Sequence, residues 1–184
     1  MPGIQPLIIK SQSLKLEIQK NFFKLNNSFN QSLSNFLKLA FKKGFKSKLA
    51  SKQESLTYIS CILFGQNSKN EPHSSALFYK PSAKIKRSSS WVWIEIKNSK
   101  GKPGWLYGQS EFVVFELPKE YLFVTRKSLV DLVHKKINFN EPMVGDSWGA
   151  RYRILQRSNA FDQITQVKLD DLKSLPSIYI WNKE

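Results

Sequence analysis

Glu95 and Lys97 stand two residues apart in the run WVWIEIK, residues 91–97. In an extended strand, side chains two apart project from one face. A carboxylate and an ammonium would therefore stand side by side, backed by Trp91, Trp93, Ile94 and Ile96 in or near the core. The carboxylate can hold a hard divalent cation, and the ammonium can meet developing negative charge; hydrolysis of a phosphodiester needs both. The plainer alternative is a solvated strand face carrying a weak ion pair.

Other chemistries lack material. The chain has two histidines, His73 and His134, and one cysteine, Cys61, so thiolate–imidazole metal sites and nucleophilic triads have too few members. His134 lies beside Lys135 and Lys136 on the polar side of an expected helix, and His73 in an expected polar loop. No glycine-rich phosphate cradle precedes a helix, which argues against ATP or GTP use. Oxygen-ligand chemistry remains, with magnesium or manganese as the expected ion.

The run IEIKN, a Gly/Pro turn, GWLYGQSEFVVFE, a short turn and YLFVTRKSLVDLV resemble the core of the PD-(D/E)xK, restriction-endonuclease-like nuclease superfamily, in its small phage-type members. The resemblance covers roughly residues 55–136. It implies an α/β (α+β) fold with a central mixed sheet flanked by helices, magnesium-dependent hydrolysis of DNA phosphodiester bonds, and a homodimer as an option. By position, Glu95 would be a metal ligand, Lys97 would orient or stabilise the attacking water, and the Ile96 carbonyl would be a further ligand. The family also places an acid, usually Asp after Pro, on the preceding strand. Here the first Asp is Asp131, and upstream acids are limited to Glu17, Glu54 and Glu71. Glu71 is the stand-in ligand by position; Glu54, Glu111 and Glu116 are the alternatives.

The elements that would position these groups follow from periodicity. Apolar residues from Ser13 to Phe45 advance by threes and fours, predicting one long helix, or two joined at Asn26–Ser28, ending at Gly44. Residues 1–50 then form a basic amphipathic helical segment on a core of residues 51–184, within a single domain. Strands are expected over residues 57–64, from 76 to 79, 91–97, 111–117, 121–125, 152–155 and 163–167, with a terminal extended piece over 177–181. A helix begins near Lys127 or Ser128, with Ser128 as a candidate cap, and a helical turn covers 170–175.

Charge points to the partner. Lys plus Arg exceed Asp plus Glu by 29 − 14 = 15 over 184 residues. Residues 1–90 carry 15 basic and 3 acidic side chains, and residues 91–184 carry 14 and 11. Such a basic half suits a polyanion, nucleic acid before an anionic membrane and DNA before RNA. Lys84, Lys86 and Arg87 before the Glu95 strand, and Lys100 and Lys102 after it, are the expected phosphate contacts. Trp93 shares parity with Glu95 and Lys97 and is the leading base-stacking candidate, with Trp91, Trp105, Tyr107 and Tyr79 as others. No long apolar run or cationic leader occurs, so neither a membrane span nor a signal peptide is expected, and the lone cysteine fits a reducing, cytoplasmic setting. The expected activity is that of a metal-dependent endonuclease. The alternatives are a non-catalytic DNA- or RNA-binding protein and an interaction module whose charge is incidental.

Overall fold

The computed structural model describes residues 28–66, 69–81, 90–156 and 161–183. Helix α1 (Ser28–Lys42) buries Leu33, Phe36, Leu37 and Ala40, the stripe set by helical spacing. It stops at Gly44, whose φ of 85° opens a two-bond cap: the Gly44 amide donates to the Phe41 carbonyl at 2.9 Å and the Phe45 amide to that of Ala40 at 3.0 Å. The expected apolar positions before Ser28 lie outside the described residues.

Strand β1 (Lys46–Leu49) follows directly and pairs antiparallel with β2 (Cys61–Gln66). Between them sits the short helix α2 (Lys52–Leu56), started by a reciprocal cap in which the Ser51 amide donates to the Glu54 carboxylate at 2.6 Å and the Glu54 amide to the Ser51 hydroxyl at 3.2 Å. Next come β3 (Pro72–Lys80), β4 (Trp91–Lys97), a single 3-10 turn (Trp105–Tyr107), β5 (Phe112–Glu116), β6 (Glu120–Thr125) and helix α3 (Arg126–Lys136). The cap of α3 is Thr125 rather than Ser128: its hydroxyl accepts the Ser128 amide at 3.3 Å, because the helix opens at Arg126. The chain closes with β7 (Leu155–Gln156), β8 (Gln163–Lys168), helix α4 (Leu169–Lys173) and β9 (Ile178–Asn182).

The fold is α+β with a mixed central sheet. Its six strands run in the order β1-β2-β3-β5-β6-β9, parallel only between β3 and β5. A second sheet, β4-β8-β7, is antiparallel. The Glu95 strand thus lies outside the central sheet. Leu77–Lys80 of β3 pair directly with Phe112–Phe115 of β5, so the backbone leaves no place for β4 between them. Strand β4 instead pairs with β8, with a bulge between Glu95 and Lys97.

Two apolar cores make three layers. Phe36 of α1 stands over Tyr79, Tyr121, Phe123 and Trp181 on one face of the central sheet, at ring separations of 5.1 to 5.8 Å. The other face presents Val113, Phe115, Leu122 and Val124 to Val92, Ile94 and Ile96 of β4 and to Leu129 and Val133 of α3. With β1 bonded to β2 and α1 packed on the sheet, residues on both sides of position 50 contribute to the central sheet and its core. No described helix is long and apolar enough to cross a membrane.

Candidate nucleic-acid interface

Since Val92, Ile94 and Ile96 face the core, Trp91, Trp93, Glu95 and Lys97 line the outer side of β4. Beyond β8, residues 150–152 run beside Gln166, with the Tyr152 amide donating to the Gln166 carbonyl at 2.9 Å and the Gln166 amide to that of Ala150 at 2.9 Å. Arg151 is thereby carried to the β4 face. Its guanidinium lies 4.9 Å from the Trp91 ring centre and 4.5 Å from that of Trp148. Trp148 is 76% exposed, an unusual setting for an indole. The Asp146 carboxylate holds its turn by accepting the amides of Trp148 and Gly149, each at 2.8 Å.

Tyr152 continues the stack. Its ring meets Trp91 edge-on at 5.1 Å, and its backbone is left-handed at φ 57°. The side chain is anchored by a hydrogen bond from its hydroxyl to Asp171, which also pairs with Lys136 at 3.3 Å. The Tyr152 bond, larger than the opposing effect of burial and assisted by Lys136 and Lys168, holds the Asp171 carboxyl below its usual range. The result is a ladder of Trp148, Arg151, Trp91 and Tyr152 fastened at its lower end.

Next to this ladder a cleft of about 370 Å³ opens along β4, lined by Trp93, Glu95, Trp105, Lys80, Ser147 and Leu155 among others. The Trp105 amide donates to Glu95 Oε1 at 3.3 Å. Gly104 presses on the same residue: a Cβ there would lie 2.5 Å from the Glu95 carbonyl oxygen and 2.8 Å from its Cγ. Trp105 is held in turn by Arg126. That buried guanidinium donates to the carbonyls of Ser110 at 2.7 Å, Leu106 at 2.8 Å and Trp105, and to the Ser110 hydroxyl. The Lys80 ammonium sits 5.2 Å above the Trp105 ring.

Several expected partners of Glu95 are placed elsewhere. Lys97 is exposed past the bulge and is not among the cleft's lining residues; the amine lining the cleft with Glu95 is Lys80. The Ile96 carbonyl accepts the Gly104 amide at 2.8 Å. Glu71 precedes β3, whose other end, Lys80, lines the cleft. Those nine residues of extended chain put Glu71 roughly 30 Å away along the strand, so it cannot share an ion with Glu95. Glu54 is engaged in its helix cap, Glu111 accepts the Ser75 hydroxyl, and Glu116 accepts the Ser32 hydroxyl and the Lys183 ammonium. Among the described residues, no three His, Cys, Asp or Glu side chains gather to hold a metal. Among the described residues, the donor set around Glu95 is one carboxylate with an oxygen already hydrogen-bonded, which does not fit a magnesium or manganese ion.

Of the expected nucleic-acid contacts, Trp93 lines the cleft, and Lys100 and Lys102 are exposed on a turn whose amides donate to the Asn98 side chain at 3.0 and 3.1 Å. Lys84, Lys86 and Arg87 lie outside the described residues. Tyr79 is fully buried and bonded to Ser32, which removes it as a stacking residue. Sequence reasoning missed Lys80, Trp148 and Arg151. The signal for the latter two was present: an indole in a polar loop, GDSWG, with an arginine three residues later. No family model matches the chain, and neither a curated protein nor a solved structure matches it.

Proposed function

We propose that this protein binds single-stranded nucleic acid along the outer face of β4 and does not cut it. The observation that carries this is the Arg151 guanidinium between an exposed indole and Trp91, on a chain of net charge +15. Unpaired bases stack on indole and guanidinium planes whatever their sequence, while lysines and arginines neutralise the phosphates. The face runs from Trp91 to Lys97, six steps of about 3.3 Å or roughly 20 Å, and continues into the turn bearing Lys100 and Lys102. Phe161, 70% exposed, lies beside that turn at Gly101 and offers a further apolar surface. DNA is the first partner to test and RNA the second.

Fluorescence anisotropy with labelled oligonucleotides tests this directly. Trp148→Ala should weaken binding roughly 5- to 150-fold, the worth of one base–aromatic stack of about 1–3 kcal/mol. Affinity should also fall steeply between 50 and 200 mM salt. Binding indifferent to salt and to the paired change Trp148→Ala, Arg151→Ala would remove the reading. Hydrolysis retains one supporting observation, the Glu95 carboxylate and Lys80 ammonium in one cleft. Magnesium-dependent plasmid nicking by the parent that disappears in Glu95→Gln would put that reading in place of ours.

A further inference from the structure

Glu95 is the one acid on the outer face of β4, a face otherwise made of indoles and a lysine. A carboxylate there repels phosphate and weakens general attraction to a strand. Yet its position is closely fixed, by the Trp105 amide on Oε1 and by Gly104, which leaves no room for even a methyl group against it. Its cleft is lined by Trp93, Leu155, Ile164 and the buried Trp105, with Lys80 adding positive charge. The volume, about 370 Å³, is at the small end of ligand pockets, which run from about 300 to 1,000 Å³. One flat heterocycle fits such a space.

We propose that this cleft reads one unstacked base of the bound strand and selects guanine, whose N1–H and N2 amino group donate together to the Glu95 carboxylate. The proposal rests on the nucleic-acid reading above and adds base identity to it. A carboxylate is acceptor-only, with about four lone-pair sites, of which the Trp105 amide uses one. Guanine is the base whose pairing edge places two donors next to each other. Adenine and cytosine offer an amino donor beside a ring nitrogen acceptor, which faces the second carboxylate oxygen with like charge. Thymine and uracil offer one donor between two carbonyls. Trp93, Leu155 and Ile164 supply the apolar lining that unstacking a base requires.

The test uses the full chain and oligothymidylates carrying one central substitution: guanine, hypoxanthine, adenine or cytosine. Hypoxanthine differs from guanine by the N2 amino group alone. The parent should bind the guanine oligonucleotide roughly 12- to 150-fold more tightly than the hypoxanthine one, the range for a single hydrogen bond to a charged group. Glu95→Gln, nearly isosteric, should abolish that preference and, with the repelling charge gone, bind plain oligothymidylate at least as tightly as the parent; its melting temperature checks that the fold is intact. Equal binding of all four substituted strands by the parent, or a guanine preference that survives in Glu95→Gln, overturns the pocket and leaves strand binding standing. Failure of every oligonucleotide to bind overturns strand binding itself and the pocket with it.

Discussion

Replacing Gly104 by alanine adds one methyl group where β4 approaches most closely. Gly104 has φ −77° and ψ −179°, values any residue adopts, so backbone preference does not enter. The added carbon would lie 2.5 Å from the Glu95 carbonyl oxygen and 2.8 Å from its carbonyl carbon and Cγ. Ordinary contacts of this kind are about 3.3–4.0 Å, so some atom must retreat by roughly 1 Å. The obstructing atoms are mostly backbone of a paired strand, and retreat of Gly104 itself stretches its 2.8 Å bond to the Ile96 carbonyl. Overpacking at about 1–3 kcal/mol plus a weakened hydrogen bond at about 1 kcal/mol gives a loss of about 3 kcal/mol. For a chain of this size that corresponds to a fall of roughly 6–12 °C in melting temperature. Gly145→Ala is the matched control, since nothing lies within 4 Å of its Cβ position and it should move stability by under about 0.5 kcal/mol. Thermal and urea unfolding of both variants decide the matter. Equal stability of Gly104→Ala and Gly145→Ala would refute the claim that this contact fixes Glu95.

Arg126→Lys keeps the charge but loses the planar fork, leaving some of the Leu106 and Ser110 acceptors unpaired; a loss of about 2–3 kcal/mol is expected in urea titrations, with faster amide exchange over residues 105–110. Burial pushes the Cys61 thiol up to about 12. Above about pH 9 the unfolded chain therefore binds fewer protons than the folded one, and stability falls by about 1.4 kcal/mol per pH unit from this group. Cys61→Ala should accordingly show a shallower alkaline decline between pH 9 and 11, and the parent thiol should react with a disulfide reagent at neutral pH only on unfolding. Trp148→Ala should leave the melting temperature unchanged, because its exposed indole supports no core; a drop above about 1 kcal/mol would make it a structural residue instead.

Local chemistry carried much of the fold into the sequence. The alternation of WVWIEIK, the EFVVFEL run and the glycine after Lys43 each specify an element through neighbouring residues, and β4, β5 and the end of α1 form accordingly. Strand β1 was hidden because KSKL is short and lysine-rich, as sheet edges often are. The first part of β3 was hidden by Pro72 and the polar residues after it. Which sheet β4 joins is a tertiary matter, decided by direct pairing of β3 with β5 and by a partner far along the chain. The same limit applies to the site. Parity placed Glu95 and Trp93 on one side of β4, yet only the folded arrangement brings Lys80 to them and carries Glu71 away.

Because β4 takes β8 as its neighbour, synthesis imposes a delay. Lys97 is partnered by Gln163, 163 − 97 = 66 residues later. At about 5–20 residues per second, a ribosome needs roughly 3–13 s to deliver that stretch. The β5–β6 hairpin and α3 are contiguous and can assemble in the meantime, while β4 waits with one edge unsatisfied. The nascent chain's most vulnerable interval therefore falls on the segment that bears Trp93 and Glu95.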